Sequence, residues 1–186
     1  MSKIIVVTGV PASGKTVFAQ KVGNKFNLPL FSKDSLKELL FDYVGVENRD
    51  LSRKFGMASF ELLYEITEQL MRTDVAHVIE GNFDREFASN VLNKKMEKYD
   101  CEFLQFNFYA QKNIIRERFE KRWDNRNVKN SRHKGHMDNE NLEIVENTGG
   151  KNKALDIPGE LIEVDTTNFD NVDYKQLNQK ISEFLK

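Results

Sequence analysis

The sequence has 186 residues, of which 39% are hydrophobic and 31% charged, and its formal net charge is −1. This length suits a single domain, residues 1–186, that buries about 70% of the surface of its unfolded chain. The composition excludes the disordered and membrane-spanning classes. A net charge near zero gives no global attraction to nucleic acid or to a membrane, so any partner must be recognised locally.

Cysteine usage and apolar run length bear on the cellular location. Cys101 is the single cysteine, which excludes an internal disulfide and suits a reducing compartment. The longest apolar run, residues 4–7, is too short for a signal core or a membrane-spanning helix. We therefore expect a cytoplasmic protein with no membrane partner, and the sequence indicates no obligate protein partner.

The chain begins with a strand, a glycine-rich loop and a helix, in that order. Residues 3–8 predict a buried parallel strand. Residues 15–26 predict a helix with Val17, Phe18, Val22 and Phe26 on one face. Between them, residues 9–16 read G-x-x-x-x-G-K-T, the pattern of a phosphate-binding loop. The alternative, an ordinary glycine turn capped by Ser13, does not account for the matching strand and helix.

A phosphate-binding loop assigns a role to each of its parts. Backbone N–H groups of the loop and of the open first helical turn surround phosphates, because that turn has unpaired donors. Lys15 would bridge the outer phosphates, and the hydroxyl of Thr16 would bind Mg²⁺. The predicted nucleotide contacts are Gly9, Pro11, Ala12, Ser13, Gly14, Lys15, Thr16 and Val17.

Strands and helices alternate along the rest of the chain. Further strands are predicted over residues 28–32, 76–80, 102–109 and 161–165. Further helices are predicted over residues 35–43, 50–72, 84–99, 111–123, 139–146 and 174–185. The alternation predicts an α/β fold with a parallel sheet covered on both faces. Ligands of such sheets bind beyond the carboxyl ends of the strands.

Asp34 follows the second strand and is the first candidate for catalysis. A carboxylate there can accept the proton of a substrate hydroxyl that approaches the outer phosphate. The alternative role is a helix N-cap. Ser35 and Glu38 have the spacing of a capping box, which would leave Asp34 available for chemistry.

The third strand ends in Glu80, which is followed by Gly81 and Asn82. Glu80 could hold a water molecule of the Mg²⁺ shell or a donor group of the substrate. Its alternative role is a surface acid where the strand ends. Asn82 and Arg85 are further candidates for binding the acceptor.

A basic tract after the fourth strand predicts a lid over about residues 124–138. Its guanidinium groups would close over the triphosphate and neutralise charge during transfer. Arg118 and Arg122 lie four residues apart on one side of a helix, so they could converge on one ligand, and Arg132 could reach the substrate. The alternative is a solvated helix face followed by a surface loop. We do not expect a zinc site at His133 and His136, because no cysteine, and no acid other than Asp138, stands at ligand spacing.

Thr167 follows the last strand, at the sheet edge where a base bound to the loop would lie. Its hydroxyl or main chain could contact the base, although an ordinary strand-to-helix turn is equally consistent with the sequence.

Taken together, these segments resemble small P-loop kinases of the group that contains zeta toxins, chloramphenicol phosphotransferase and polynucleotide 5′-hydroxyl kinases, often described as AAA-type ATP-binding proteins. The matching positions are residues 9–16, Asp34, residues 78–81, Arg118 and Arg122, residues 132–138 and residues 164–167. The resemblance implies a three-layer α/β/α P-loop NTPase fold with a five-stranded, mostly parallel sheet and a nucleoside-monophosphate-kinase topology with a lid. It also implies that Asp34 activates the substrate and that Arg122 is a lid residue on the phosphates.

The sequence departs from this group at two places. Lys134 replaces the proline of the usual R-H-P-G-H, and Asn82-Phe83 replaces the Thr-x-Arg of zeta toxins. The second departure argues against carrying over their sugar-nucleotide substrate.

The leading hypothesis is an enzyme that uses ATP and Mg²⁺ to phosphorylate a hydroxyl of an unidentified small molecule or nucleotide. The alternatives are a P-loop ATPase or switch, a non-enzymatic ATP-binding module, and a polynucleotide 5′-hydroxyl kinase. The sequence lacks the N/T-K-x-D guanine signature, and the chain is too short for the machinery of a hexameric ATPase. A nucleic-acid acceptor is possible but not favoured, because phosphate contacts require a basic surface.

Overall fold

The computed structural model describes residues 1–45, 48–126, 147 and 149–186, with only the main chain described for residues 122–126. Five strands form one sheet: β1 (Ser2–Gly9), β2 (Leu30–Ser32), β3 (His77–Glu80), β4 (Cys101–Tyr109) and β5 (Glu160–Asp165). The helices are α1 (Lys15–Phe26), α2 (Lys33–Val44), α3 (Arg49–Arg72), α4 (Arg85–Met96), α5 (Lys112–Arg126) and α6 (Tyr174–Phe184).

The sheet order is β2-β3-β1-β4-β5, and every pair of neighbouring strands is parallel. This arrangement confirms the predicted three-layer α/β class and its five-stranded sheet. Because β1 lies in the middle, the loop that follows it opens at the centre of the carboxyl edge. That edge is where open parallel sheets bind ligands.

Two apolar layers hold the sheet between helices. Ile4 and Val6 pack on one side with Leu63 of α3, whereas Ile5 and Val7 pack on the other side with Phe18 of α1. All four β1 side chains are fully buried, which explains why this strand reads as a continuous apolar run without alternation.

Some features of the predicted helices are wrong. Val17 was expected on the same face as Phe18 and Val22 but is 56% exposed. Helix α2 begins at Lys33, two residues before the predicted start, so Ser35 lies inside its first turn and does not form a capping box with Glu38. Helix α4 ends at Met96, short of the predicted residue 99.

Polar side chains fasten an extended segment, residues 152–156, against the sheet and α4. The Gln105 amide forms two hydrogen bonds with the main chain of Leu155, donating to its carbonyl at 3.2 Å and accepting from its N–H at 2.7 Å. Asn107 donates to the carbonyl of Asn152 at 3.0 Å. Helix α4 adds hydrogen bonds to the same segment: Arg85 and Asn93 donate to main-chain carbonyls, and Ser89 Oγ accepts from the N–H of Asp156. We call residues 152–156 the strap.

Across the described residues, no helix combines the length and the apolar character needed to cross a bilayer. The short helix expected over residues 139–146 and most of the lid expected over residues 124–138 lie outside the described residues.

Candidate functional site

The loop between β1 and α1 has the backbone of a phosphate-binding site. Ala12 and Gly14 adopt positive φ angles of 61° and 90°, and Gly14 begins α1 without a side chain that could cap the first turn. Ser13 is fully buried, and its Oγ has no hydrogen-bond partner among the described residues. Pro11 is also buried, whereas Val17 is exposed on α1. These features leave polar groups of the loop for a phosphate ligand.

Gly9 fixes where this loop begins. Its φ is 139°, and a Cβ atom there would lie 2.1 Å from the carbonyl oxygen of Phe108. The close contact with β4 therefore requires glycine at this position.

Glu80 connects the loop helix to the neighbouring strands. Its carboxylate is 1% exposed and accepts hydrogen bonds from Thr16 Oγ1 at 3.1 Å and Ser32 Oγ at 2.6 Å. Lys15 Nζ lies 3.9 Å from Glu80 Oε1 and 3.5 Å from the carbonyl oxygen of Val10, to which it donates. A buried carboxylate is tolerated only with such partners. Residues 15 and 16 are thus brought together with Glu80, as a site for phosphate and metal requires.

The donor set at this point fits a magnesium ion. Thr16 Oγ1 and Glu80 Oε1 are oxygen atoms, the type of ligand that Mg²⁺ takes, usually together with phosphate oxygens and water. Within the described part of the chain, no group of three or more His, Cys, Asp or Glu side chains could hold a metal by itself. The arrangement therefore suits a cation that arrives with a nucleotide. His133 and His136 lie outside the described residues.

Asp34 lies in the first turn of α2. Its Oδ1 atom is 3.0 Å from the ammonium of Lys33, and its side chain is 35% exposed. Ser32, the residue before α2, occupies the N-cap position but directs its hydroxyl to Glu80 and does not cap the helix. Asp34 therefore follows, two residues later in the chain, a serine that binds Glu80.

Asn82 lies in the connection from β3 to α4, two residues after Glu80, and Arg85 is the first residue of α4. Arg85 donates to the carbonyl of Ala154 at 2.9 Å and pairs with Asp156 at 3.2 Å, so it is held against the strap. A cavity of about 550 Å³ opens between this connection and the chain near the strap, and its lining includes Asn82, Phe83, Lys151 and Lys153.

Arg118 binds the connection that follows β5. Its guanidinium donates to the Thr166 carbonyl at 2.5 Å and lies 4.0 Å from the centroid of the Phe169 ring. Thr166 Oγ1 lies 2.9 Å from the Ser13 carbonyl, which connects this group to the phosphate-binding loop. The Thr167 hydroxyl accepts from the main-chain N–H of Gln111 at 3.0 Å.

Two of the predicted arginines lie beyond the side chains that the structure describes. Arg122 lies at the end of α5, residues 122–126, where only the main chain is described, and Arg132 lies outside the described residues.

Sequence reasoning missed three side chains at this edge. Ser32 and Lys33 stand at the start of α2. The ring of Phe169 lies so close to Gly14 that a Cβ atom on residue 14 would be 2.8 Å from it. Ser32 is the polar last residue of a strand that ends at the carboxyl edge, and this position could have indicated that it lies at the site. Phe169 is 41% exposed, which no periodicity in its short 3₁₀ turn predicts.

Comparisons with known proteins bear on the fold of this chain. No family model matches the chain, and no curated protein matches it. Among solved structures, a proposed kinase from Chloroflexus aurantiacus superposes with a TM-score of 0.85 at 27% identity, covering 99% of this chain and 95% of that one.

Two more distant structures share the fold. Kti12 from Chaetomium thermophilum, in complex with ADP-AlF3, has a TM-score of 0.63 at 18% identity and covers 98% of this chain and 99% of its own. A sugar kinase from Janibacter sp. has a TM-score of 0.61 at 18% identity, with 100% and 95% coverage. The chain has the fold of the P-loop kinases.

Proposed function

We propose that this protein is an ATP- and Mg²⁺-dependent kinase that transfers the γ-phosphate to a hydroxyl group of a small molecule or nucleotide. The observation that carries the proposal is the cluster of Lys15, Thr16 and Glu80, with Asp34 in the first turn of α2, two residues after the Ser32 that binds Glu80. A simple ATP-binding module would need the first three side chains but not the fourth.

The residues around the phosphate-binding loop have separate proposed roles toward ATP and its metal. Lys15 and the loop N–H groups hold the outer phosphates, whereas Thr16 and Glu80 hold the metal, which when bound neutralises phosphate charge. Arg118 and Thr167 contribute on the opposite side of the loop, where the connection after β5 meets Ser13. Arg122, Arg132 and the lid complete the proposed site on sequence grounds.

The proposed transfer is a single displacement. The acceptor oxygen forms a bond to the γ-phosphorus as the bond from that phosphorus to the bridging oxygen of ADP breaks. Asp34 orients the acceptor hydroxyl and takes its proton. Lys33, 3.0 Å from Asp34, keeps one carboxylate oxygen in place.

The test is transfer of label from ATP labelled at the γ-phosphate, with a panel of hydroxyl metabolites and 5′-hydroxyl oligonucleotides. We expect Mg²⁺-dependent labelling of at least one acceptor class and its loss in Lys15→Ala, because Lys15 is the only cation in the loop sequence, residues 9–16. Transfer in Lys15→Ala close to the wild-type level would refute the proposal. Label released only as inorganic phosphate, with every acceptor, would identify an ATPase instead.

A further inference from the structure

The cavity of about 550 Å³ at the carboxyl edge has two walls. One wall is the connection from β3 to α4, residues 82–84, together with Arg85, and the facing wall contains Lys151 and the first residues of the strap. The volume is within the range of small-molecule sites. The described residues that line the cavity include none from the phosphate-binding loop, so the cavity is available to a second substrate.

The order of the strands places this cavity beside the phosphate-binding loop. The two neighbours of β1 in the sheet are β3 and β4. The first wall follows β3 directly, and the second is attached to β4, because Asn107 of that strand donates to the carbonyl of Asn152 at 3.0 Å. A cavity between these walls therefore lies across the end of β1, where the loop begins.

The cavity and α1 lie on opposite faces of the sheet. Phe83 lines the cavity and packs in the apolar layer of Ile4 and Val6. Helix α1 packs in the other layer, with Ile5 and Val7. A nucleotide held at the start of α1 and a ligand in the cavity would thus reach the same edge from opposite sides, which suits transfer between them.

Gly81 joins the first wall to the helix that carries Asp34. A Cβ atom on Gly81 would lie 3.3 Å from the Cβ of Lys33, the first residue of α2, and 3.5 Å from the ring of Phe83. The end of β3 is thus packed between the first turn of α2 and the cavity. The proposed catalytic carboxylate and the cavity are therefore neighbours of the same short segment of main chain.

Most charged groups of the two walls already have partners. Arg85 pairs with Asp156 at 3.2 Å, and Lys151 pairs with Glu163 of β5. Asp84 is the N-cap of α4 and accepts a hydrogen bond from its first turn. A strongly anionic ligand would compete with two carboxylates for these cations, so the walls favour a neutral ligand.

Neutral donors and acceptors of the walls are left for such a ligand. The side chains of Asn82 and Asn152 line the cavity, and neither amide forms a hydrogen bond with the described residues. An amide both donates and accepts, as a hydroxyl does. Lys153, an exposed lysine without an ion pair in the described part of the chain, adds a donor. This set matches a ligand with several hydroxyl groups.

We propose, on the basis of the kinase function above, that this cavity holds the acceptor and that the acceptor is an uncharged polyhydroxyl compound, a sugar or a polyol, bound by Asn82 and Asn152. A nucleoside matches the cavity less well, because Phe83 is only 4% exposed and offers no open face on which a base could stack. A polynucleotide would need cations that are free for its phosphates.

The first experiment blocks the cavity. Cys101 is 6% exposed and is the single native cysteine, so a bulky fluorescent maleimide would react selectively with Lys153→Cys. We expect labelling to lower transfer from γ-labelled ATP at least about tenfold, because a displaced acceptor no longer meets the γ-phosphate. The Kd of a non-hydrolysable ATP analogue should stay unchanged. Labelled Lys94→Cys, at an exposed position of α4, is the control, and equal transfer by the two labelled proteins would overturn the cavity as acceptor site.

The second experiment tests the class of acceptor. Wild-type protein is assayed on glucose beside gluconate and glucose 6-phosphate, on glycerol beside glycerol 3-phosphate, and on inositol, adenosine and a 5′-hydroxyl oligonucleotide. We expect a neutral sugar or polyol to be used with a kcat/KM at least about tenfold above that of the charged compounds and of adenosine. Equal or better use of a charged compound, adenosine or the oligonucleotide would overturn the proposed class.

The third experiment tests Asn82 with the acceptor that the wild type uses. Asn82→Leu removes the amide with little change of shape, so we expect the acceptor KM to rise about tenfold with a smaller change in kcat. Asn82→Asp keeps accepting oxygens and should retain part of the affinity. Asn90→Leu, at an exposed position of α4, is the control. An acceptor KM in Asn82→Leu equal to that of the control would overturn the role of Asn82 and leave the kinase function intact. Failure of the wild type to bind the ATP analogue, or to transfer phosphate to any acceptor, would instead refute the kinase function.

Discussion

At the scale of single residues, Glu80 is the side chain on which the site depends. It is buried at the end of β3 and contacts residues from α1 and from the end of β2, so its position links the phosphate-binding loop to the helix that carries Asp34. The serine hydroxyl that reaches it is the shortest of these contacts, at 2.6 Å.

Replacing Ser32 with alanine should therefore weaken the site and the fold together. Loss of a hydrogen bond to a buried carboxylate costs about 1–3 kcal/mol of unfolding free energy. Urea unfolding measures this loss, and the Mg²⁺ concentration for half-maximal activity should rise in the same variant. Ser35→Ala, an exposed serine of α2, serves as control and should change stability by less than about 0.5 kcal/mol. Equal stability and equal Mg²⁺ dependence in the two variants would contradict the role of Ser32.

Asp34→Asn should affect turnover and spare nucleotide affinity. The carboxylate is assigned to the acceptor, and a positioned general base contributes about 10²–10⁴-fold in rate. The measurement is kcat with the acceptor found by γ-phosphate transfer, beside the Kd of the ATP analogue. Asp42→Asn, at an exposed position of α2, is the matched control. Normal turnover with a lowered melting temperature would mean that Asp34 serves only the helix.

At the scale of elements, the strap packs against the sheet and α4 without forming a regular strand or helix. It has no periodic apolar pattern, and Leu155 is its one buried apolar side chain among residues 152–156. Its position depends on hydrogen bonds from Gln105 and Asn107, two buried polar residues of the mostly apolar strand β4.

Gln105→Met keeps the shape of the side chain but removes both hydrogen bonds to Leu155. The two main-chain groups then stay buried without partners, which we expect to cost about 2–4 kcal/mol of unfolding free energy. Amide hydrogen exchange at Leu155 and Asp156 should accelerate in the same variant. Gln20→Met on the exposed face of α1 is the control. Exchange at Leu155 that stays at the wild-type rate would show that apolar packing alone holds the strap.

The elements also show which parts of the structure can be predicted from sequence. Buried strands and long helices follow from runs and periodicity, so β1 and α3 were predicted to within about two residues. The start of α2 was not, because Ser32 occupies the N-cap position while its hydroxyl serves Glu80 in a distant strand. Periodicity likewise assigns lysine to an outward face, so the burial of Lys37 depends on tertiary contacts that local pattern does not contain.

At the scale of the whole molecule, the two edges of the sheet carry different kinds of polar side chain. The carboxyl edge carries Lys15, Asp34 and Glu80 of the proposed site, whereas the amino edge carries polar groups for which we propose no binding or catalytic role. There, His77 is fully buried at the start of β3, and its Nδ1 donates to the carbonyl of Val75 at 2.8 Å. Its Nε2 is buried with no hydrogen-bond partner among the described residues.

Burial lowers the pKa of His77 below its ordinary value of 6.5 and outweighs the opposing effect of the hydrogen bond to Val75. Protonation would also place an N–H group at Nε2, where the described structure offers no acceptor. The unfolded chain therefore binds the proton more readily than the folded one, so the folded state loses stability as pH falls below about 6.5, by at most about 1.4 kcal/mol per pH unit for this group.

Urea unfolding at several pH values between 7 and 5 tests this expectation, with His77→Leu as the variant that cannot titrate. Every other titrating group, including His133 and His136, is common to both proteins, so the difference between the two pH profiles isolates His77. We expect the wild type to lose stability more steeply than His77→Leu as the pH falls, whatever the absolute stability of the variant. Parallel profiles would mean that His77 accepts a proton in the folded state as readily as in the unfolded one, and that the amino edge opens to water.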